Sequence, residues 1–420
     1  MPGGGRIINP GEVRIRRAGA PLRRCYSSAA LRSRLLTLLA VTALACGGVR
    51  IPPPATIFPL TTAWSAAFEG ERIEGDLATD GTRVFVATRE GNLRALDPLT
   101  GSVLWKRSGR PGRLSAAETL LILRSPDGTI ERLDPETGLP LWRRETGIPG
   151  AWPAVVSPGH VLVAGKGLVC LRLADGQRVW TAVADGESSA PPVVAGERVL
   201  VPEAGGTLRC LSLEDGSALW THAAGGEILA PPTVDYRGRV FLGTMAPSIL
   251  ALDIREGKRQ WRWKRGAGVA TPAAVLGERV LVASQESVLF SMKSGGGAIV
   301  WRAPLPSRPW SGPLLMGSAV LVACHETEIV GYDGRDGRRL GNLKLPAPFA
   351  TRPVLLGTRV LLGLRGPAAV VALHVPVPGA SPQPSTPPGS PVPGTTLPPS
   401  TPTAGSSPTP APPQSPSPRP

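Results

Sequence analysis

Cysteine and histidine are the residues of this sequence that could ligate a metal or act as nucleophiles. No two cysteines form a Cys-x-x-Cys pair and no histidines have His-x-x-His or His-Glu-x-x-His spacing, so neither a zinc site nor a dithiol redox site is indicated. The Gly-x-Ser-x-Gly turn of serine hydrolases is also missing. The residues in question are Cys25, Cys46, Cys170, Cys210 and Cys324, with His160, His222, His325 and His374. The sequence therefore predicts no catalytic residue, no metal and no cofactor, and we expect a protein that is not an enzyme.

Cys46 is the cysteine whose sequence context indicates chemistry. Arginines precede an apolar run of 11 residues, Leu35 to Ala45, which is too short to span a bilayer and is typical of a signal peptide. The run ends at Ala-Leu-Ala-Cys, which resembles a bacterial lipobox, although Ala43 stands where that motif usually has Leu. We predict a lipoprotein-type signal peptide over 1–45, acylation of Cys46 and a lipidated tether over 46–60. The alternative is ordinary signal cleavage, which would leave a free thiol.

Net charge is +15, but eight Arg and one Glu in residues 1–45 place +7 of it in the leader. The remaining charge is spread over a long segment without a run of Lys or Arg. Proteins that bind nucleic acid usually concentrate basic residues on one face or segment. The sequence therefore predicts no nucleic-acid partner.

A repeat of about 40 residues organises the centre of the chain. Trp recurs at positions 64, 105, 142, 180, 220, 261 and 301, and one further step reaches Gly341 in a degenerate copy. A Gly stands four residues before each of these positions from 105 to 341. In the unit Leu96–Trp105, a strand ends at Asp97, a tight turn needs positive φ at Gly101, and the next strand carries Trp105.

Eight short apolar runs of Val and Leu precede these turns, as in Val84–Thr88 and Val320–Cys324. Such runs are typical of strands buried on both faces, as in a propeller blade between two others. We predict an all-β fold over 61–376, an eight-bladed β-propeller of four-stranded antiparallel blades. Residues 61–68 are expected to close the ring by pairing near 370–375, which removes two free sheet edges. Residues 377–420 are rich in Pro, Ser and Thr, and we predict a disordered tail.

This repeat resembles the pyrroloquinoline-quinone (PQQ)-like repeat family with its tryptophan-docking motif. The resemblance implies that the Trp of one blade packs against the next blade. That role falls on Trp105, Trp142, Trp180, Trp220, Trp261 and Trp301. Quinone-dependent dehydrogenases share the repeat, but the adjacent cysteines of those enzymes are missing, and only Asn92 and Asn342 follow residue 10 as amide ligands for calcium.

The lipobox combined with eight blades resembles the lipoproteins of outer-membrane protein assembly. The resemblance implies a monomeric, periplasm-facing scaffold, lipid-anchored at the outer membrane, with a protein partner such as the β-barrel assembly machinery. Gly47 after Cys46 favours the outer membrane, because an Asp there retains such lipoproteins at the inner membrane. A periplasmic or cell-surface location is the alternative.

Trp152 and Trp310 lie outside the repeat of docking positions, in loops expected at the mouth of the propeller channel. Exposed aromatic rings there could bind a peptide or a sugar, or they could fill the channel as packing. A ligand-binding or sensory propeller is therefore the alternative to the scaffold, and a PQQ-dependent dehydrogenase is a third hypothesis.

Overall fold

The fold is all-β, as the sequence predicts. The computed structural model describes residues 51–375 except 55, 184, 185, 265 and 326, and this part of the chain contains 32 strands and no helix. The strands form eight four-stranded sheets in which neighbours are antiparallel, so the prediction of an eight-bladed propeller is confirmed. Within these residues, no helix offers the length and apolar character needed to cross a membrane.

The strands are numbered in chain order. The first sixteen are β1 (Thr61–Ala67), β2 (Ala78–Thr79), β3 (Val84–Ala87), β4 (Asn92–Leu96), β5 (Val103–Ser108), β6 (Arg113–Ala117), β7 (Leu120–Arg124), β8 (Thr129–Leu133), β9 (Pro140–Glu145), β10 (Val155–Ser157), β11 (His160–Ala164), β12 (Leu168–Arg172), β13 (Arg178–Ala182), β14 (Val193–Ala195), β15 (Arg198–Glu203) and β16 (Thr207–Ser212). The others are β17 (Ala218–Ala223), β18 (Thr233–Val234), β19 (Arg239–Thr244), β20 (Ser248–Asp253), β21 (Arg259–Trp263), β22 (Ala274–Leu276), β23 (Arg279–Ser284), β24 (Val288–Lys293), β25 (Ile299–Pro304), β26 (Leu314–Met316), β27 (Ala319–Ala323), β28 (Glu328–Asp333), β29 (Arg339–Lys344), β30 (Val354–Leu356), β31 (Arg359–Leu364) and β32 (Ala369–His374).

Blades 1 to 7 are each built from four consecutive strands, from β2–β5 in blade 1 to β26–β29 in blade 7. Blade 8 contains β30, β31 and β32, and its fourth, outer strand is β1 from the start of the fold. Trp64 pairs with Ala372 and Ala67 with Ala369 across β1 and β32. This pairing agrees with the predicted closure, in which the first strand completes the last blade.

The hydrophobic core lies between the blades. Every residue of β3 is buried, because one side of this strand faces blade 8 and the other faces blade 2. Phe85 belongs to a cluster with Leu121 and Leu123 of blade 2, whereas Val84 and Val86 pack with residues of blade 8. This two-sided burial explains why the second strand of each blade is an uninterrupted apolar run rather than an alternating one.

In blades 1, 2, 5 and 7, the turn before the outer strand follows from the Asp and Gly of the repeat. In blade 1, the backbone N–H groups of Leu99 and Thr100 donate to the Asp97 carboxylate at 2.7 and 2.8 Å. Gly101 has φ +75°, a conformation that disfavours residues with a Cβ. The turn is thus encoded locally, and the outer strand that follows it carries the repeated Trp.

The predicted signal peptide over 1–45, Cys46 and the predicted tail over 377–420 lie outside the described residues. The predicted tether is described only from residue 51. Ile57 and Leu60, near its end, are buried in the cluster between blades 7 and 8.

Candidate functional site

Seven tryptophans connect consecutive blades around the ring. The indole N–H of each donates to a backbone carbonyl in the turn of the next blade, over distances from 2.8 to 3.1 Å. The seven pairs are Trp64 with Pro98, Trp105 with Pro135, Trp142 with Leu173, Trp180 with Leu213, Trp220 with Ile254, Trp261 with Ser294 and Trp301 with Gly334. Trp64 was not in the predicted set, although its spacing fits the repeat, because no turn Gly stands four residues before it.

Each indole also lies flat against the turn Gly of the next blade. A Cβ at Gly216 would lie 2.5 Å from the ring of Trp180, and a Cβ at Gly138 would lie 2.7 Å from the ring of Trp105. Gly is therefore required for two reasons: its φ is positive, and the covering ring leaves no room for a Cβ. These Trp residues are engaged in structural contacts within the ring.

The contact differs at the seam, the boundary between blades 7 and 8, where Gly341 replaces the Trp. Phe58 from the segment before β1 fills this place, and a Cβ at Gly341 would lie 2.6 Å from the Phe58 ring. The same ring covers Gly331 on the neighbouring strand, and the Ile57 side chain also lies beside Gly331. Phe58 could not be predicted from the repeat pattern, because no copy of it exists in the other repeats.

Trp152 and Trp310 occupy equivalent loops four blades apart, and the structure does not bring them together. The Trp152 indole donates to Ser188 O at 2.8 Å, and the Trp310 indole donates to Thr351 O at 3.2 Å. Both side chains are half-buried. Beside Trp152 lies Arg124, which is 1% exposed, donates to Trp152 O at 2.8 Å and has its pKa lowered to about 10 by burial.

Trp310 lines a cavity of about 820 Å³, whereas Trp152 does not. The cavity is formed by the chain entering blades 1, 7 and 8, by the β3–β4 and β31–β32 turns, and by Arg113 at the start of β6. Its charged side chains are Glu71, Arg72, Glu74, Asp76, Arg89, Arg113, Arg352 and Arg365. Ile73, Leu364 and Ala368 give it an apolar wall.

The carboxylates of the cavity are bound to guanidinium groups. Arg94 donates to Glu71 at 2.7 Å and holds its pKa at about 2, well below the usual range. Glu74 pairs with Arg89 at 2.9 Å and with Arg113 at 3.4 Å. The remaining carboxylate, Asp76, accepts the backbone N–H of Arg352 at 2.8 Å and lies 3.9 Å from its guanidinium.

These carboxylates do not fit a calcium ion of the kind that quinone-dependent propellers use, because calcium needs six to eight oxygen ligands. Glu71, Glu74 and Asp76 are already engaged by arginines. Among the described residues, no group of three His, Cys, Asp or Glu is arranged to hold a metal.

The described cysteines are isolated free thiols rather than a pair. Burial raises the pKa of Cys170 to about 12 and the pKa of Cys210 and Cys324 to about 11. Such thiols are poor nucleophiles, because the thiolate is the reactive form.

Comparisons with known proteins agree on this fold. The sequence profile of a family described as "Outer membrane protein assembly factor BamB" matches residues 61–171, 126–264, 165–309 and 248–372. No curated protein matched the chain in a sequence search.

Three solved structures are similar to the described fold. BamB from Moraxella catarrhalis superimposes with a TM-score of 0.65 at 17% identity, over 75% of this chain and 99% of that one. The computationally designed protein Ika8 gives 0.63 at 17% identity, over 74% and 98%. A quinohemoprotein alcohol dehydrogenase from Comamonas testosteroni gives 0.63 at 13% identity, over 81% and 80%. At these identities the structural likeness shows the fold alone.

Proposed function

The chain belongs to the family of the outer membrane protein assembly factor BamB, and on this premise we propose that it is a non-catalytic scaffold for protein partners in outer-membrane protein assembly. The observation that carries the proposal is the family match, which extends over residues 61–372 and thus over all eight blades. A lipid on Cys46 would hold the propeller at the outer membrane, facing the periplasm. The proposed partner is a component of the β-barrel assembly machinery.

The chemistry of the described side chains supports a scaffold over an enzyme. The acidic groups of the main cavity are bound to arginines, and the described thiols are buried with raised pKa values. Fold alone does not distinguish the two, because a dehydrogenase shares this architecture.

The outer strands of blades 1 and 2 carry exposed apolar side chains suited to a protein partner. Leu139 is 61% exposed and Leu141 is 57% exposed, and Val103 and Leu104 of the neighbouring blade are also exposed. Adjacent exposed apolar residues are typical of interaction surfaces. Blade 5 has the polar Gln260 at the position of Leu141, which provides a matched control.

Crosslinking in membranes, followed by purification of this chain, tests the proposal. We expect a β-barrel assembly component to copurify with the wild-type protein, and its recovery to fall several-fold with Leu139→Asp combined with Leu141→Asp. Gln260→Asp should leave the recovery unchanged. Absence of any assembly component from the wild-type crosslinks would contradict the proposed role.

Fractionation tests the anchor separately. Cys46→Ser should move the protein from the outer-membrane fraction to the soluble periplasmic fraction, because acylation would be lost. A Cys46→Ser protein that stays in the membrane fraction would show that another feature holds it there.

A further inference from the structure

We propose that the cavity beside Trp310 binds an extended peptide segment in which an acidic side chain lies next to an apolar one. This proposal rests on the proposed function in one respect, because the segment would belong to a protein partner.

Two guanidinium groups are available to receive the carboxylate. Arg365 lies over the Trp310 ring, 5.5 Å from its centre, and has no carboxylate within ion-pair distance among the described residues. Arg352 makes only the long 3.9 Å pair with Asp76. With Arg72, Arg89 and Arg113, the lining carries five Arg against three acidic residues, so its net charge favours an anion.

The apolar wall is suited to the neighbouring side chain of the segment. Ile73 and Leu364 line the cavity beside its charged groups, and Trp310 adds an aromatic ring. Trp and Arg are the side chains most often responsible for binding energy in protein interfaces. A volume of about 820 Å³ is within the range of ligand pockets and accommodates a few residues of an extended chain.

The cavity is held in shape before any ligand arrives. The Trp310 indole donates to Thr351 O, and the Arg365 backbone N–H donates to Pro348 O at 2.8 Å. The backbone of Arg352 is bound to the Asp76 carboxylate at 2.8 Å. Little conformational entropy would be lost on binding, which favours affinity.

The lining favours a peptide carboxylate over a sugar or a phosphate. The three carboxylates of the lining are already engaged by arginines, so few acceptors are left for the hydroxyl groups of a sugar. Three acidic side chains also reduce the positive charge that a multiply charged phosphate would need. A single carboxylate beside an apolar group matches the groups that are left, which are the guanidinium groups of Arg352 and Arg365 and the apolar lining.

Fluorescence anisotropy tests the inference with the full mature protein purified in detergent. The probe is a fluorescein-labelled peptide with the core Gly-Glu-Phe-Gly, and the matched peptide has Gln for Glu. We expect the Glu peptide to bind about tenfold or more tightly than the Gln peptide, because only the former has a charge for the guanidinium groups. Arg365→Gln and Arg352→Gln should each weaken binding of the Glu peptide by a similar factor, and Trp310→Ala should weaken binding of both peptides.

Arg302→Gln, an exposed position on the outer strand of blade 6, is the matched control and should bind like the wild type. Equal affinity for the two peptides would overturn the inference, and so would full affinity in Arg365→Gln. Displacement of the peptide by millimolar inorganic phosphate with no discrimination between Glu and Gln would likewise overturn it in favour of a simple anion site. Loss of peptide binding with intact membrane crosslinks would reject this site alone, whereas intact peptide binding without those crosslinks would reject the proposed function.

Discussion

The boundaries between regular blades and the seam between blades 7 and 8 solve the same packing problem with different parts of the chain. At each regular boundary, an indole of one blade covers the turn Gly of the next and donates to its backbone. At the seam, Gly341 replaces the indole and Phe58 covers it from outside the repeat. The difference arises because blade 8 is completed by a strand from the other end of the fold, whereas blades 1 to 7 are each built from four consecutive strands.

The absence of a Trp at position 341 has a geometrical reason. In blades 1 to 7 the third and fourth strands are joined by the glycine turn that receives the indole. In blade 8 these two strands are β32 and β1, which come from opposite ends of the fold and are not joined by a turn. An indole at position 341 would therefore have no turn to dock on, and the chain entering β1 supplies the packing instead.

The two kinds of boundary also differ in how far apart their partners are in sequence. The Trp hydrogen bonds join residues 30 to 34 positions apart. At the seam, Phe58 from the segment before β1 packs against Gly331 and Gly341 of blade 7, so this contact must wait for nearly the whole chain. Contacts over long sequence separations form slowly because loop closure costs entropy before the contact is made.

Removing a docking indole at a regular boundary should have the largest effect. Trp180 is 8% exposed, and its indole donates to Leu213 O at 2.8 Å. We expect Trp180→Ala to lower the free energy of unfolding by about 3 to 5 kcal/mol, since it leaves a cavity and an unpaired carbonyl. Chemical denaturation measures the change. Trp180→Phe is the control and should lose less, because the ring still covers Gly216; an equal loss would show that ring packing contributes little.

Removing the seam ring should have a smaller effect. Phe58 is only half-buried, so we expect Phe58→Ala to lower the free energy of unfolding by about 2 kcal/mol. Gly341→Trp should also destabilise the protein, by about 1 to 3 kcal/mol, because the new side chain would occupy the place of the Phe58 ring.

The double variant sharpens this prediction. The loss caused by Gly341→Trp should shrink in the Phe58→Ala background, because the two side chains would otherwise compete for one place. Denaturation of the four proteins gives the coupling. Additive losses would mean that Phe58 does not occupy the position of the missing indole.

The propeller could be predicted from the sequence because its determinants are local and repeated. The turn Gly recurs at fixed spacing in seven units and is followed by Trp in six of them, and each short apolar run indicates a strand with two buried faces. The closing strand could be predicted as well, because an unpaired Trp strand at the start matches a missing strand at the end. These features require no knowledge of contacts between distant positions.

The cavity could not be predicted, because it arises where non-repeated segments meet. Trp152 and Trp310 look alike in sequence, yet only Trp310 faces a cavity, since the segments around Arg72 and Arg365 lie beside it. Those segments meet because β1 completes blade 8 and the chain then enters blade 1. A repeat pattern cannot predict a site that is formed by residues outside the repeated positions. Phe58 could not be predicted for the same reason.

The smallest expected effect on the free energy of unfolding comes from the ion pair between Glu71 and Arg94. Glu71 is in the chain leaving the closing strand, and the hydrogen bond from Arg94 lowers its pKa from 4.5 to about 2. Because the folded-state pKa lies below the unfolded one, this stabilisation is present above about pH 4.5 and is lost as the pH falls toward 2.

Between pH 7 and pH 4 the pair should account for a loss of about 1 kcal/mol in the free energy of unfolding. Urea denaturation of wild type and Glu71→Gln measures it: the two curves should converge as the pH falls, and parallel curves would show that Glu71 titrates alike in both states.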